Sequence, residues 1–250
     1  GEERIPSQTS VHLELRVQRE RDPFLEEIAD EVVTYLTDSP KEYGAVILDS
    51  KDHINRLATL LKKRGYEYRI GRIHGSTPQE ERAENAQKQV ILATSTVDVG
   101  FNFERDLPTP RQNLDWLIFS ARDRSAFWQR IGRVGRVLGK AQTDLPSRAI
   151  GYFQENVWDE GLVTLDSAGG RTALQQKLSE LKSLEHPFLE AYWQSEALLE
   201  TARPLLILEG MMDKLPQADY VLQLFETIKT TLGGRRDWKY YQGRMKALEA

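Results

Sequence analysis

Short apolar runs alternate with amphipathic stretches over roughly the first 155 residues. From Val11 to Val17, apolar and polar side chains alternate with a period of two, which is typical of a half-buried strand. Further strands are predicted at residues 45–48, 68–73, 90–93, 116–119 and 149–153. Helical patterns separate most of these strands. This alternation predicts an α/β fold with a parallel sheet covered by helices on both faces.

Three connections carry signals for the start of a helix. Asp22-Pro23 is read as an N-cap followed by proline at the first helical position. Ser50 is expected to cap the helix that follows the strand at 45–48. Thr77-Pro-Gln-Glu80 has the spacing of a capping box.

The strand pattern stops near residue 156, and helices are predicted at 171–184, 188–201, 216–231 and 238–248. We therefore expect an edge or linker at 1–10, an α/β domain at 11–155 and a helical accessory domain at 156–250. The last helix mixes cations and aromatic rings between Arg235 and Lys246. We expect these rings to pack on the preceding helices; the alternative is that they stack on bases or dock on a partner.

The amino-acid composition excludes several functional classes for this protein. The 34 basic and 38 acidic residues leave a net charge of −4, so any nucleic-acid binding must use local patches. The absence of cysteine excludes disulfides, a cysteine nucleophile and thiolate metal sites. The four histidines are scattered, which argues against zinc. No run of 18 apolar residues and no signal peptide occur, so we expect a cytoplasmic protein without a membrane partner.

Small polar residues follow four of the predicted strands. Because ligands of parallel sheets bind at the carboxyl ends of the strands, these positions are candidate phosphate contacts. The plainer interpretation is that Ser, Thr and Gly are common in turns. The four groups are Ser50-Lys51-Asp52, His74-Gly75-Ser76, Thr94-Ser95-Thr96 and Ser120-Ala-Arg122.

The segment Gln129-Arg-Ile-Gly-Arg-Val-Gly-Arg136 concentrates charge and glycine. On a continuous helix, one face would be apolar (Phe127, Ile131, Val134 and Leu138) and the opposite face would carry Gln129, Arg133 and Arg136. Gly132 and Gly135 would then mark a close approach by another group, because glycine inside a helix costs roughly 1 kcal/mol.

Five arginines lie between residues 122 and 136, with Asp123 as the single acid among them. Such a cluster predicts an anionic partner, and a phosphate fits the guanidinium fork best. The alternative is a solvated basic face.

Four segments together resemble the C-terminal motifs of superfamily 2 helicases. Gln129–Arg136 resembles motif VI, and Ala93-Thr-Ser-Thr-Val-Asp-Val-Gly100-Phe-Asn102 resembles motif V. Ile47–Lys51 is similar to motif IV, and Ile73–Ser76 with Arg82 is similar to the stretch that follows it. The resemblance implies the second RecA-like lobe of a two-lobed motor. The combination is most similar to the CRISPR-associated helicase of type I systems, in particular the cyanobacterial type I-D form.

This resemblance implies a set of site residues. Arg133 and Arg136 would reach the γ-phosphate of ATP, and Gln129 would orient the attacking water or touch the γ-phosphate. Gly100, Asn102 and Arg130 would belong to the cofactor-binding set, although many relatives carry Asp where Asn102 stands. Arg130 would also tie its helix to the facing lobe. The implied nucleic-acid contacts are Ser50, Lys51, His74, Gly75, Thr94 and Ser95.

The sequence contains no P-loop, because Gly135–Ala141 has the wrong spacing and ends in alanine. ATP and Mg²⁺ would therefore be held mainly by a first RecA-like lobe, and we expect no ATP hydrolysis by this chain alone. The implied function is ATP-dependent translocation on single-stranded DNA during CRISPR interference, with an effector complex and a separate nuclease as partners. The alternatives are an RNA helicase, a restriction-type DNA translocase, or a non-catalytic scaffold that binds nucleic acid.

Overall fold

The structure is a computed structural model that describes residues 7–75, 77–98, 101, 103–106, 109–164, 170–185, 196–232 and 236–249. The chain divides into two compact units, Gly1–Glu185 and His186–Ala250.

Six parallel strands form the sheet of the first unit. In chain order they are β1 (Val11–Gln18), β2 (Gly44–Ile47), β3 (Ile70–Ile73), β4 (Val90–Ala93), β5 (Trp116–Ser120) and β6 (Ser147–Gln154). Their order in the sheet is β1-β6-β5-β2-β4-β3. The predicted strand at 68–73 is shorter than expected, because residues Glu67–Arg69 form a 3-10 turn.

Helices cover both faces of this sheet, which confirms the predicted α/β fold class. On one face, α1 (Arg21–Asp38) and α2 (Lys51–Lys63) bury side chains against Val46, Leu92 and Ile118. On the other face, residues of α4 (Arg124–Ile131), α5 (Glu155–Asp159) and α6 (Gly170–Glu180) pack with Ile47, Ala93 and Phe119. The helix α3 (Gln79–Ala86) adjoins β3. Strands buried on both faces explain the continuous apolar runs.

The Ser50 cap is confirmed, since its hydroxyl accepts a hydrogen bond from the His53 amide at 3.4 Å. The other two predicted helix starts are wrong. The helix α1 begins at Arg21, which places Asp22 inside the first turn instead of at the cap. Thr77 precedes Pro78, the residue that caps α3, and its hydroxyl accepts from the His74 amide at 3.0 Å. The threonine therefore closes the loop before the helix.

The first compact unit ends 30 residues after the boundary expected at residue 155. A single apolar cluster explains this difference, because Leu162, Leu174, Leu178 and Leu184 belong to the same core as Phe119 and Phe153 of the sheet. The helices that follow β6 thus cover the sheet before the second unit begins.

The second unit contains α7 (Glu196–Leu206), α8 (Ala218–Thr231) and α9 (Trp238–Glu249), with a 3-10 segment at Ile207–Lys214. Residues 188–195 of the predicted helix 188–201 lie outside the described residues. Phe225 is buried, and the rings of Trp238 and Tyr241 pack against it at 4.9 and 5.9 Å between centroids. The expected packing of the terminal aromatics is confirmed for these two rings, whereas Tyr240 is 46% exposed. Across the described part of the chain, no helix has both the length and the apolar character needed to span a bilayer.

We predict that Gly44→Ala destabilises the first unit by about 1–3 kcal/mol, the usual cost of overpacking a core. A Cβ atom at this position would lie 2.0 Å from the indole ring of the buried Trp116. Urea unfolding followed by circular dichroism measures the change. The control is Gly243→Ala in α9, where, among the described residues and apart from the helix's own nearby backbone, no atom lies within 4 Å of the added carbon. Equal stability of wild type and Gly44→Ala would contradict the prediction.

Candidate functional site

The four polar groups predicted at strand ends lie on neighbouring strands. The strands β5, β2, β4 and β3 are adjacent in the sheet in this order. Ser120 ends β5, Ser50 follows β2, Thr94 follows β4 and His74 follows β3. Because parallel strands end at the same edge, these groups form one row, which we call the strand-end row.

Hydrogen bonds join neighbouring members of the strand-end row. The Thr94 amide donates to the carbonyl oxygen of Ile73 at 3.2 Å, and the Leu48 amide donates to Ala93 at 3.0 Å. The hydroxyls of Thr94 and Thr96 lie 2.9 Å apart. Thr94 is buried, whereas Ser95, Lys51 and Gly75 are exposed. The row therefore combines an anchored backbone with accessible polar groups.

Positive charge surrounds the His74 end of this row. The pKa of His74 is lowered by burial first, and then by the nearby charges of Lys51, Arg72 and Arg82. Arg82 also organises the loop, since its guanidinium donates to the carbonyl oxygens of Thr77 at 2.8 Å and Gly75 at 2.9 Å. Such a local basic surface can attract a polyanion despite the net negative charge of the chain.

A buried arginine forms hydrogen bonds with residues at three of the strand ends. Arg130 is 1% exposed, and its guanidinium donates to Asp98 at 2.8 Å, to Asp49 at 2.8 Å and to the carbonyl oxygen of Ser120. The Ser120 hydroxyl donates in turn to Asp49 at 3.1 Å. We call these four residues the Arg130 network. Asp49 follows β2, Asp98 follows β4, and Ser120 ends β5, so the network fixes their mutual spacing.

Burial alone would disfavour the charged guanidinium of Arg130, but the hydrogen bonds and charges of Asp98 and Asp49 outweigh burial and raise its pKa. The expected contact between Arg130 and a facing lobe stays a prediction; within this chain the side chain has other partners. Its side chain is enclosed by its own domain, because two carboxylates are positioned to neutralise it there.

The segment 129–136 is not one continuous helix. The helix α4 ends at Ile131, Gly132 is its C-cap, and residues 132–135 form turns before Arg136 makes an isolated β-bridge with Gln8. Gly135 has a φ of +71°, a left-handed conformation that glycine adopts readily. The predicted apolar stripe is consequently wrong at its end, where Leu138 is 73% exposed. The close approach suggested by the glycines occurs at Gly135, and the approaching residues are Thr9 and Ser147 of the same chain.

Carboxylates from distant parts of the chain neutralise three of the five clustered arginines. Arg122 lies 3.5 Å from Asp49, Arg124 lies 2.9 Å from Glu185, and Arg130 is paired as described. Among the described residues, the hydrogen-bond partners of Arg133 and Arg136 are main-chain carbonyls. The cluster therefore needs an external anion less than its sequence indicates. The two arginines most suited to bind one are Arg133 and Arg136.

Arg133 and Arg136 are close enough to influence each other. Burial lowers the pKa of Arg133, the positive charge of Arg136 lowers it further, and the negative charge of Asp98 acts in the opposite direction. The Arg133 guanidinium donates to the carbonyl oxygens of Phe101, at 2.7 Å, and of Asp98. Arg136 is exposed, and its Nε donates to the carbonyl oxygen of Gly132 at 2.7 Å. We call residues 132–136 the arginine turn.

Asp98 links this turn to the Arg130 network, because its carboxylate binds Arg130 while its carbonyl oxygen accepts from Arg133. Gln129 is exposed on α4, where its amide contacts Ser125 at 3.2 Å instead of sharing a helix face with the two arginines. Gly100 and Asn102 lie outside the described residues.

A cavity of about 790 Å³ in the first unit is lined by β1, Trp128 and Trp158, and also by Gln8 and by Gly132 of the arginine turn. The predicted site residues do not line it. They lie along an edge and a turn, a placement suited to an extended polymer or to a ligand shared with another domain.

Sequence reasoning missed Asp49, Asp98 and Gln8 as members of the site. The two aspartates stand within the segments compared with motifs IV and V, so a count of carboxylates near the clustered arginines could have found them. Nothing in the sequence around Gln8 indicates its role, because its hydrogen bonds to residues 131 and 134 exist only in the folded chain.

Residues 27–138 match the family described as the helicase conserved C-terminal domain, a little under half of the chain. This part of the chain is therefore similar to a helicase C-terminal domain, in agreement with the RecA-like α/β fold. No curated protein matches the sequence.

Several solved structures are similar to this chain. The DUF1998 helicase MrfA bound to DNA is 12% identical, with a TM-score of 0.46 over 61% of this chain and 21% of its own. Domain 2 of the DEAD-box helicase Mss116p, bound to an RNA duplex, is 13% identical, with a TM-score of 0.42 over 91% of this chain and 86% of its own. A DEAD box protein from the hyperthermophile Methanococcus jannaschii is 19% identical, with a TM-score of 0.38 over 70% of this chain and 40% of its own. The chain thus spans about a fifth of MrfA, and likenesses at this level say nothing about substrate.

We predict that Arg130→Met lowers the free energy of unfolding by about 3–5 kcal/mol, because it leaves Asp49 and Asp98 without their buried countercharge. Urea unfolding followed by circular dichroism measures the loss. Arg136→Met is the matched control; its side chain is exposed, and we expect a change within about 0.5 kcal/mol. Equal effects of the two substitutions would show that the Arg130 network does not stabilise the fold.

Proposed function

We propose that this chain is the C-terminal lobe of an ATP-dependent motor that moves along single-stranded nucleic acid. The similarity to a helicase C-terminal domain supports a nucleic-acid-related ATPase function for the complete protein. The observation that carries the finer proposal is the arginine turn. Arg133 and Arg136 lie close enough for their positive charges to interact and donate to main-chain carbonyls, whereas the three other clustered arginines form ion pairs with carboxylates.

A triphosphate is the anion that best fits this pair. Each guanidinium offers five N–H donors in a planar fork, which suits phosphate oxygens. In phosphoryl transfer an arginine that stabilises developing charge can contribute about 10³ to 10⁵ in rate. We assign this role to Arg133 and Arg136, and we assign to Gln129 the orientation of the attacking water.

Most of the groups that hold ATP and Mg²⁺ would come from another RecA-like lobe. Asp49 and Asp98, the carboxylates nearest to the arginines, are both paired with Arg130 and are poor candidates for binding Mg²⁺. The sequence also has no P-loop. In this proposal Gly100 and Asn102 approach the nucleotide, and the chain alone does not hydrolyse ATP.

The strand-end row is the proposed path of the nucleic acid. Thr94, Ser95 and the helix start after Ser50 would bind backbone phosphates, with Lys51, His74 and Gly75 at the basic end of the row. Contacts of this kind carry no sequence information, as translocation requires. Asp98 gives a physical connection between this path and the arginine turn, because it follows Thr94 by four residues and binds both Arg130 and Arg133.

We further propose that the track is DNA and that the complete protein acts in CRISPR interference of type I-D, in the cytoplasm, with an effector complex and a separate nuclease. The motif resemblance described above supports this assignment. An RNA helicase or a restriction-type DNA translocase would use the same arginine turn. A non-catalytic scaffold would have no use for it.

We predict that Arg133→Ala in the complete protein lowers the kcat of ATP hydrolysis about 10³-fold or more, because the stabilisation of phosphoryl charge is lost. Phosphate release is measured with Mg²⁺ and ATP in the presence of single-stranded DNA, single-stranded RNA or neither. The control, Arg56→Ala, removes an exposed arginine paired with Asp52 on α2 and should leave kcat unchanged.

Stimulation by DNA that Arg133→Ala abolishes supports the DNA motor, whereas stimulation by RNA alone supports the RNA helicase. An Arg133→Ala variant with full turnover would refute the assignment of the arginine. If the wild-type protein hydrolyses no ATP under any of these conditions, the non-catalytic scaffold is the interpretation that remains.

We predict that Thr94→Ala weakens binding of single-stranded DNA about 2- to 10-fold, the range expected for one hydrogen bond. Fluorescence anisotropy over several salt concentrations measures the change in Kd. Thr59→Ala is the control, since its exposed hydroxyl donates within α2 to the carbonyl oxygen of Asn55. Unchanged affinity of Thr94→Ala at every salt concentration would move the nucleic-acid path away from the strand-end row.

A further inference from the structure

The segment Ser7–Thr9 crosses the arginine turn before the chain enters β1. The Thr9 amide donates to the carbonyl oxygen of Gly135 at 2.8 Å, and the Val137 amide donates to Ser7 at 3.1 Å. Gln8 and Arg136 form an antiparallel bridge between these two bonds. We call residues 7–9 the strap. It holds the backbone of Arg136 from a position more than 120 residues away in the chain.

The side chain of Gln8 reaches the end of α4. Its Nε2 donates to the carbonyl oxygen of Val134 at 2.7 Å and lies 3.4 Å from that of Ile131. The last carbonyls of a helix have no partner within the helix and need an external donor. Gln8 supplies that donor on both sides of Arg133, so it fixes the backbone that carries this arginine.

The other side of the turn contacts the segment that precedes β5 and the first residue of β6. The Gly135 amide donates to Leu114 at 3.1 Å. A Cβ atom on Gly135 would lie 2.5 Å from the Thr9 hydroxyl and 2.8 Å from that of Ser147, and these two buried hydroxyls lie 3.0 Å apart. The turn is thus enclosed between the strap and the start of β6. Arg136 is exposed, whereas Arg133 is half-buried and its guanidinium donates to the carbonyl oxygens of Phe101 and Asp98.

We propose that Gln8 is a positioning residue for Arg133 and Arg136. Its amide holds the end of α4 in the conformation in which the arginine pair meets a phosphate, and the strap sets the geometry of the arginine turn. This proposal rests on the function proposed above. It adds a determinant of activity that belongs to none of the helicase-like motifs and touches no substrate.

Two substitutions test the amide in the complete protein. Gln8→Met keeps the length of the side chain and removes the donor; we expect a 10- to 100-fold lower kcat, because misplacement of a catalytic group by about 1 Å has effects of this size. Gln8→Glu places an ionised carboxylate against two carbonyl oxygens near neutral pH. Its protonated form regains a donor, so its kcat relative to wild type should rise as the pH falls towards the pKa of the new carboxyl group. Gln18→Met, at the other end of β1, is the matched control and should match wild type.

A general loss of structure would not produce the recovery of Gln8→Glu at low pH. Hydrogen-exchange mass spectrometry of the 250-residue chain provides a second measurement. In Gln8→Met we expect faster exchange in the peptide covering residues 132–138 and unchanged exchange at residues 45–48 and 90–94.

Wild-type kcat in Gln8→Met would overturn the proposal. A depressed kcat in Gln8→Glu with the same pH profile as wild type would also overturn it. If the complete wild-type protein hydrolyses no ATP, the proposed function fails, and hydrogen exchange then decides alone whether Gln8 orders the turn. Unchanged exchange at 132–138 would refute the positioning role in that case, and faster exchange would uphold it.

Discussion

A buried guanidinium must be neutralised, and the arrangement of the site follows from how Arg130 meets that requirement. Its carboxylate partners come from two different strand ends, Asp49 after β2 and Asp98 after β4, and its main-chain partner is the last residue of β5. Loss of Arg130 would leave two carboxylates without their buried countercharge, and loss of a partner would leave buried N–H donors of the guanidinium without an acceptor. The network therefore fixes the spacing of three adjacent loops that carry the proposed phosphate contacts.

The Arg130 network also connects two surfaces to which we assign different roles. The strand-end row lies at the carboxyl edge of the sheet, whereas the arginine turn adjoins residues that begin β5 and β6. The loop after β4 bridges them, since Asp98 binds Arg130 through its carboxylate and Arg133 through its carbonyl oxygen. A shift of this loop would alter both surfaces together. In the proposed function, these hydrogen bonds would connect the nucleic-acid path with the nucleotide site.

The arginine cluster shows how tertiary partners change the meaning of a charge pattern. Five arginines with one local acid predict a surface that needs an anion, yet distant carboxylates neutralise three of them. The remaining two stand on a turn that is itself held by the strap and by the segment that precedes β5. Selectivity for a phosphate would then depend on the backbone that presents Arg133 and Arg136 as much as on their charge.

The sequence by itself determined the strands, the two-faced sheet and the Ser50 cap, because hydrophobic periodicity and capping are properties of a few neighbouring residues. It also placed the polar groups at the strand ends, since these follow directly from where strands stop. Only the tertiary structure decided that Arg130 is buried, that α4 ends at Ile131 and that Gly135 turns around Thr9 and Ser147. The partners in these cases lie tens to more than a hundred residues away. The helical pattern of the sequence continues past Gly132, but packing against distant segments ends the helix there and favours a reverse turn.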